Sequence, residues 1–339
     1  MKILITGSAG FICGYLVEEL LDHGHEIMGI DNYSKYGKIK KRYDDHPLYH
    51  FTEGDAKDIK LLKMLIEDCD QIIACAAMIG GITYFHEFAY DLLSENERIT
   101  ASTFDAAIWA YKNKKLKKIN VLSSSMVFES TSMFPTPEGE QLKCPPPLST
   151  YGFQKLACEY FAKGAWEQYG LPYTIIRPFN CIGVGEKRAL CDRNILSGNI
   201  SLAMSHVVPD LVQKILKNQN PLHILGDGNQ IRHYTYGGDL AQGIRLCIEN
   251  EKALNQDFNL SIPVSTTVLE LAQLIWNKIK PNVPFRYVSD TPFQYDVQKR
   301  VPNVEKAKET LGFETVTSLE KALDEIIPWI QKQIEIGGI

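Results

Sequence analysis

The chain has 339 residues, of which 45% are apolar and 23% charged, proportions typical of a globular protein with a substantial core. Its formal charge of −5 gives no electrostatic footprint for nucleic acid or an anionic membrane, so neither is expected as a partner. No apolar run reaches the length of a membrane span, and the N-terminus lacks a signal-peptide pattern. The eight cysteines show no metal-ligand spacing, which predicts reduced thiols, no metal site and a cytoplasmic location.

Short apolar runs alternate with helical patterns from the first residue to Pro178. The predicted strands are Lys2–Thr6, Glu26–Ile30, Gln71–Ala74, Ile119–Ser123 and Tyr173–Arg177, and the predicted helices are Phe11–His23, Leu93–Lys112 and Tyr151–Tyr169. This alternation is typical of right-handed βαβ units. We therefore expect the α/β class, with a doubly wound parallel sheet of the Rossmann type over residues 1–178.

The pattern after residue 178 is less regular. Helices are predicted near Val207–Lys217, Gly238–Glu249, Val268–Ile279 and Leu319–Ile336. Residues 179–339 are expected to form a smaller C-terminal α/β substrate domain, interleaved with the first. The polar segment 185–199 is interpreted as a loop, either solvated or closing over a substrate.

A glycine-rich turn follows the first predicted strand and opens the first helix. Gly7 permits a tight turn, and Gly10 lets backbone amides approach a pyrophosphate at the positive end of the helix. Asp31 follows about twenty residues on, where an acid accepts hydrogen bonds from the adenosine ribose and repels a 2′-phosphate. The motif therefore predicts NAD rather than NADP. Asp55 is open to two interpretations, an adenine contact or a turn-forming aspartate.

Tyr151 and Lys155 lie one helical turn apart on the same face of a predicted helix. A neighbouring cation favours the phenolate, which suits a general base. Ser123, Ser124 and Ser125 end a predicted strand upstream, where a hydroxyl can share a hydrogen bond with the tyrosine. These residues predict a Ser–Tyr–Lys catalytic site.

With these motifs the chain resembles an extended short-chain dehydrogenase/reductase of the NAD-dependent epimerase/dehydratase family, over nearly its whole length. Thr6–Phe11 resembles the family's TGxxGF turn, with Cys13 in place of the usual third glycine. Arg177–Asn180 is similar to its RxFN segment, and Gly226–Arg232 to its GDGxQxR segment. Arg300 resembles a second arginine that binds the substrate's diphosphate.

The resemblance implies a nucleoside-diphosphate sugar as substrate and NAD as cofactor, held by three sets of residues. The implied catalytic residues are Ser124, with Ser125 as the alternative serine, Tyr151 and Lys155. The implied cofactor-binding residues are Gly7, Gly10, Phe11, Ile12, Asp31, Asn32, Asp55, Ala56, Ala76, Asn96, Tyr151 and Lys155. The implied substrate-binding residues are Gly81, Ser125, Met126, Asn180, His206, Val207, Arg232 and Arg300.

Met126 separates this chain from several relatives. Sugar 4,6-dehydratases carry Asp-Glu at the positions of Ser125 and Met126, and UDP-glucuronate decarboxylases usually carry a glutamate at the second. Residues 77–82 and 205–209 show local similarity to GDP-mannose 3,5-epimerase and GDP-fucose synthase, which carry a cysteine where Met126 stands. Since a thioether cannot shuttle protons, we favour an epimerase acting at C4 through a transient 4-keto sugar.

Two alternatives remain open. His206 could serve a GDP-sugar C4 oxidase or reductase, or a 3,5-epimerase, or it could merely contact diphosphate or backbone. A non-catalytic NAD-sensing regulator on the same fold is the alternative outside the enzymes. The nucleotide base and the sugar are not fixed by any pattern.

Apolar residues on more than one face of the Tyr151 helix, together with the family resemblance, imply a homodimer.

Overall fold

A computed structural model describes residues 1–79, 88–187, 195–202, 206–292 and 297–338. Its strands, numbered in chain order, are β1 (Lys2–Thr6), β2 (Glu26–Asp31), β3 (Tyr49–Glu53), β4 (Gln71–Ala74), β5 (Lys118–Leu122), β6 (Tyr173–Pro178), β7 (Cys181–Ile182), β8 (Ile195–Ser197), β9 (Ile200–Leu202), β10 (Leu222–Leu225), β11 (Ile231–Arg232), β12 (Thr235–Tyr236), β13 (Gln256–Leu260), β14 (Thr266–Thr267) and β15 (Tyr287–Asp290). Its helices are α1 (Phe11–Asp22), α2 (Ile59–Ile66), α3 (Ala89–Asn113), α4 (Thr150–Tyr169), α5 (Val207–Leu216), α6 (Gly237–Glu249), α7 (Val268–Ile279), α8 (Glu305–Leu311) and α9 (Leu319–Glu335).

Seven parallel strands form the central sheet in the order β3–β2–β1–β4–β5–β6–β13. The predicted α/β class and Rossmann-type parallel sheet are therefore confirmed. The end of β1 is aligned with the ends of both neighbours, because Thr6 pairs with Ile30 of β2 and with Ala74 of β4. Loops leaving these three strands consequently meet at the carboxyl end of the sheet, where ligands of such sheets bind.

Both faces of the sheet are covered by helices, so every residue of the inner strand β5 is buried, including Lys118 and Asn120. Side chains of β1 alternate between the faces: Ile3 and Ile5 pack with α1, α6 and α8, while Leu4 packs with α2, α3 and α4. The core is thus divided into two layers by the sheet itself.

The second half of the chain contributes to the sheet as well as to a smaller unit. β13 pairs with β6 at the edge of the sheet, and α6 packs against α1. The smaller unit is built from α5, α7 and α9 and the parallel pair β10–β15, around the fully buried Trp276. The chain therefore crosses between the two units more than once after residue 178.

Some elements differ from the sequence prediction. β3, α2 and β13 are among the elements that were not predicted. In β3 and β13, polar side chains such as His50 and Asn259 interrupt the apolar pattern. α3 begins at Ala89, one helical turn before the predicted start. Segment 185–199, interpreted as a loop, contains β8, the first strand of the antiparallel β8–β9 pair; its residues 188–194 lie outside the described part of the chain.

Candidate active site

The glycine-rich turn between β1 and α1 forms a backbone cradle. Gly7 has φ +75°, and a Cβ atom there would lie 2.9 Å from Cα of Ala76, on the loop after β4. Gly10 closes the turn by donating its N–H to the Gly7 carbonyl at 3.0 Å and then starts α1. No side chain of the described residues caps α1, so its first N–H groups are directed at the turn. This arrangement fits the pyrophosphate of a dinucleotide.

Asp31 lies beside this turn, at the end of β2. Its carboxylate accepts the N–H of Ala9 at 3.1 Å and the N–H of Tyr33 at 2.7 Å. Burial raises the pKa of Asp31, and these two backbone donors act in the opposite direction. The two hydrogen bonds thus hold the carboxylate at the carboxyl end of the sheet, where an acid can accept hydrogen bonds from an adenosine ribose.

The loop after β4 is tied to the same turn. Thr6 Oγ1 accepts the N–H groups of Cys75 and Ala76 at 3.2 and 3.1 Å. Asn96 on α3 is buried, and its amide both accepts from the N–H and donates to the carbonyl of Met78, at 2.6 and 2.9 Å. The described contacts of Asn96 therefore hold the loop, a role that the sequence did not reveal, and its contact with the cofactor stays a prediction.

The remaining predicted cofactor residues surround this cradle with structural contacts of their own. Asp55 accepts the N–H of Lys57 at 2.8 Å, which corresponds to the turn-forming interpretation. Asn32 accepts the N–H of Ser34 at 3.0 Å in the same way. Ala56 is buried, Ile12 packs on the core, and the ring of Phe11 lies edge-on to Tyr15. Direct contact of these residues with a cofactor remains a prediction.

α4 carries the predicted Tyr–Lys pair at its N-terminal end. Ser149 caps the helix by accepting the N–H of Gly152 at 3.0 Å, and Ser149 in turn donates its hydroxyl to the Glu129 carboxylate at 2.7 Å. Tyr151 and Lys155 are both buried, with Lys155 Nζ 6.0 Å from the centre of the Tyr151 ring. A phenol and an ammonium are thus brought together as predicted from the sequence.

Lys155 also fixes the helix to the central sheet. Its Nζ donates a hydrogen bond to the carbonyl of Leu122, the last residue of β5, at 3.0 Å. The serines that follow this strand are therefore held next to the Tyr–Lys pair. Ser123 donates its hydroxyl to Glu159 at 2.7 Å, while Ser124 Oγ accepts the N–H of Met126 at 3.2 Å. Ser125 is buried in the short 3₁₀ turn that follows.

Met126 packs in a small apolar cluster with Tyr151 and Leu92, against which Met78 and Phe88 also pack. The tyrosine therefore shares its apolar cluster with a thioether, which has no proton to give.

Three of the predicted diphosphate residues are brought together by the structure. Asn180 follows β6 with φ +39°, and its Oδ1 accepts from Arg300 Nη1 at 3.5 Å. Arg232 on β11 donates to the carbonyl of Ile231 at 2.9 Å, and the same carbonyl accepts the backbone N–H of Arg300 at 3.1 Å. Two guanidinium groups and an amide in one region suit a diphosphate.

His206 lies at the N-cap position of α5, and Val207 is the first residue of that helix. Its Nδ1 is hydrogen-bonded to the carboxylate of Glu186, which is buried. The segment before Glu186 lies against α1, since the N–H of Val184 donates to the Tyr15 hydroxyl at 2.7 Å. Gly81 lies outside the described residues.

Three carboxylates near the site were missed by the sequence analysis: Glu129, Glu159 and Glu186. Glu186 binds the predicted site residue His206, Glu159 binds Ser123 next to Ser124, and Glu129 binds Ser149, the N-cap of the helix that carries Tyr151. Their partners are distant in sequence, so no local spacing could have indicated these contacts. Within the described residues, no group of His, Cys, Asp or Glu could hold a metal ion, and no helix is long and apolar enough to cross a membrane.

Comparison with known proteins places this chain in a family. The model of the NAD dependent epimerase/dehydratase family matches residues 3–261. The chain belongs to this family. The resemblance read from the motifs is thereby confirmed, and so is NAD as the cofactor.

Similar proteins include a putative UDP-glucose 4-epimerase of Methanocaldococcus jannaschii, 27% identical over 97% of this chain and 98% of that protein. UDP-glucuronic acid decarboxylase 1 of Danio rerio is 25% identical over 98% of this chain and 73% of that protein. Among solved structures, UDP-glucose 4-epimerase from Thermotoga maritima with UDP-glucose superposes with a TM-score of 0.80, at 27% identity, covering 98% of this chain and 100% of that one. These relatives show a nucleotide-sugar enzyme family built on one fold.

Proposed function

We propose that this protein inverts the C4 centre of a UDP-linked sugar through a transient 4-keto sugar. The observation that carries the proposal is that Met126 and Tyr151 belong to the same apolar cluster. With a thioether at this position, the proton-transfer machinery of the predicted site is limited to serine, tyrosine and lysine, which suffices for oxidation and reduction at one hydroxyl-bearing carbon. The similarity to UDP-glucose 4-epimerases supports uracil as the base.

The residues of the chain take the following roles in this proposal. Tyr151 removes the proton from O4 and later returns it, acting as general base and then as general acid. Ser124 hydrogen-bonds O4 and orients it toward the tyrosine. Lys155 supplies positive charge beside the phenol, and the cradle of Gly7, Gly10 and Asp31 holds NAD. When bound, NAD provides a reversible hydride acceptor, so no outside reductant is consumed.

The arrangement of Asn180, Arg232 and Arg300 supports an anchor for the diphosphate. Charge-assisted hydrogen bonds from two guanidinium groups would fix this part of the substrate while the sugar beyond it turns. Inversion requires that the 4-keto sugar present its opposite face for reduction. The thioether of Met126 favours such a rotation, because it offers the sugar no strong hydrogen bond that would hold one orientation.

Product analysis tests this function directly. Purified protein is incubated with UDP-glucose, UDP-N-acetylglucosamine or UDP-glucuronic acid, and the product is identified by NMR. We expect the C4 epimer of one of these, with no net formation of NADH. Tyr151→Phe is expected to lower the rate by about 10²–10⁴-fold, because it removes the general acid–base. A 4-keto-6-deoxy sugar or a UDP-pentose as product would refute the proposal in favour of a dehydratase or a decarboxylase.

A second candidate rests on His206 and its contact with Glu186. A histidine oriented by a buried carboxylate is a common acid–base arrangement, and it would suit a 3,5-epimerase acting on a GDP-sugar. The two candidates are separated by running the reaction in deuterium oxide. Deuterium at C3 or C5 favours the histidine mechanism, whereas C4 epimerisation through NAD incorporates none.

The quaternary structure belongs to the same proposal. α3 and α4 form a groove lined by Phe104, Ile108, Leu156 and Phe161, and Phe153, Tyr160 and Trp166 of α4 are exposed large side chains. An apolar surface of this kind on two adjacent helices suits a second copy of the chain, giving a homodimer. The seven cysteines in the described part are free thiols, which suits the cytoplasmic location expected from the sequence.

A further inference from the structure

A network of charges with a buried ion pair at its centre lies directly behind the Ser–Tyr–Lys site. Arg177 of β6 donates Nε and Nη2 to the two carboxylate oxygens of Glu159 at 2.7 and 2.8 Å, and both side chains are almost fully excluded from solvent. Arg177 Nη1 also forms an ion pair of 2.8 Å with Asp257 of β13, which in turn accepts from Lys306 at 2.8 Å. The fully buried Glu159–Arg177 pair is thus extended by the partly exposed Asp257 and Lys306, so that each charge has a partner of opposite sign.

Glu159 extends this network to the end of the catalytic strand. Its Oε1 accepts the Ser123 hydroxyl at 2.7 Å, in addition to Arg177 Nε. Its Oε2 accepts from Gln141 at 3.3 Å, in addition to Arg177 Nη2. Four donors from three other parts of the chain therefore fix this one carboxylate, and the serine is the donor that immediately precedes Ser124.

α4 holds the end of β5 at two consecutive residues. Lys155 binds the Leu122 carbonyl, and Glu159, one helical turn further along α4, binds the Ser123 hydroxyl. The backbone N–H of Ser123 is also paired with the Ile176 carbonyl of β6, at 2.8 Å. Tyr151 and Ser124 are consequently connected through one helix and two hydrogen bonds, of 3.0 and 2.7 Å.

We propose that Glu159 is a positioning residue that, by binding Ser123, sets the separation between the Ser124 hydroxyl and the Tyr151 phenol. The inference rests on the proposed function, in which these two groups share the substrate's O4. Catalytic groups must be held to within about 0.5 Å of their productive arrangement, and a displacement of about 1 Å can cost about 10²-fold in rate. The carboxylate acts on the geometry only and does not itself touch the substrate.

Ser123→Ala tests this role with the least disturbance. It removes the hydroxyl that Glu159 binds and leaves the Glu159–Arg177 pair intact, whereas Glu159→Gln would leave Arg177 short of a buried counter-charge and threaten folding. We expect kcat to fall about tenfold, as a displacement smaller than about 1 Å would produce, with KM and NAD affinity changed less than twofold. Crystal structures of the wild type and of Ser123→Ala should differ by about 0.5 Å in the distance between Ser124 Oγ and Tyr151 Oη.

Thr174→Val is the matched control. Thr174 is fully buried at the opposite end of β6 and donates its hydroxyl to the Ala253 carbonyl at 2.7 Å, a bond as short as that of Ser123. Loss of this hydrogen bond should lower the melting temperature about as much as Ser123→Ala does, without changing kcat. If Ser123→Ala behaves like this control, with kcat or the oxygen–oxygen separation unchanged, the positioning role is refuted. If wild-type protein inverts no UDP-sugar, the proposed function fails instead, and the crystallographic separation still decides the role of Glu159.

Discussion

The tight turn at Gly7 permits a quantitative prediction for cofactor binding. Gly7→Ala places a methyl group 2.9 Å from Cα and 3.0 Å from N of Ala76, two backbone atoms that cannot rotate away. The left-handed backbone costs an L-residue about 1–2 kcal/mol, and an overpacked contact adds about 1–3 kcal/mol. We therefore expect the free energy of unfolding to fall by about 2–5 kcal/mol. Displacement of the turn should also weaken NAD binding about 10- to 100-fold, which corresponds to a loss of about 1.4–2.8 kcal/mol in binding free energy.

Gly24→Ala separates the two contributions, because Gly24 has φ +74° but no atom within 4 Å of its Cβ position. This variant should lose only the backbone part, about 1–2 kcal/mol, and bind NAD like the wild type. Urea unfolding gives the stabilities, and calorimetric titration of NAD-free protein gives the affinities. Equal stability losses in the two variants, or an unchanged NAD affinity in Gly7→Ala, would contradict the close approach of the turn to Ala76.

Three further predictions concern charge, cofactor choice and assembly. Burial lowers the pKa of Lys118 to about 8. Because the unfolded chain then holds more protons above this pH, the stability of the wild type relative to Lys118→Met should rise by about 2.5 kcal/mol from pH 7 to pH 10. Urea unfolding at the two pH values measures this, and a constant difference would contradict it. Asp31→Asn should weaken NAD binding about tenfold or more and reduce the ratio of NAD affinity to NADP affinity, as measured by titration with both dinucleotides. Tyr160→Glu should give a monomeric mass by light scattering, while the equally drastic Val316→Glu at another exposed apolar residue should leave the dimer intact.

The parts of the fold that the sequence predicts are those with strong local patterns. The glycine-rich turn, the Tyr151–Lys155 spacing and the apolar runs of β1 and β5 each carry their signal within a few residues. β13 carries none, because Asp257 and Asn259 interrupt its apolar pattern in order to bind Arg177 and the Thr136 carbonyl. Tertiary contacts fix this strand, and they cannot be read from spacing.

The same reason separates the predicted site residues from the missed ones. Tyr151 and Lys155 are four residues apart, so helical geometry alone brings them together. Ser123 and Glu159 are also connected by a hydrogen bond, but 36 residues separate them and the bond exists only once β5 and α4 have packed. Asn96 shows the converse, since its motif was recognised but the described contacts of its amide are with the backbone of Met78.

The position of β13 at the edge of the sheet has a consequence for how the chain is made and how it can be cut. While the ribosome has released the chain only as far as β6, the backbone of β6 forms an open sheet edge, and Arg177 lacks the carboxylate of Asp257. Such an edge is a template for pairing between nascent chains. A fragment that ends after β6 is therefore expected to aggregate, and chimeras that exchange the substrate-binding half should keep residues 237–260 with the N-terminal half.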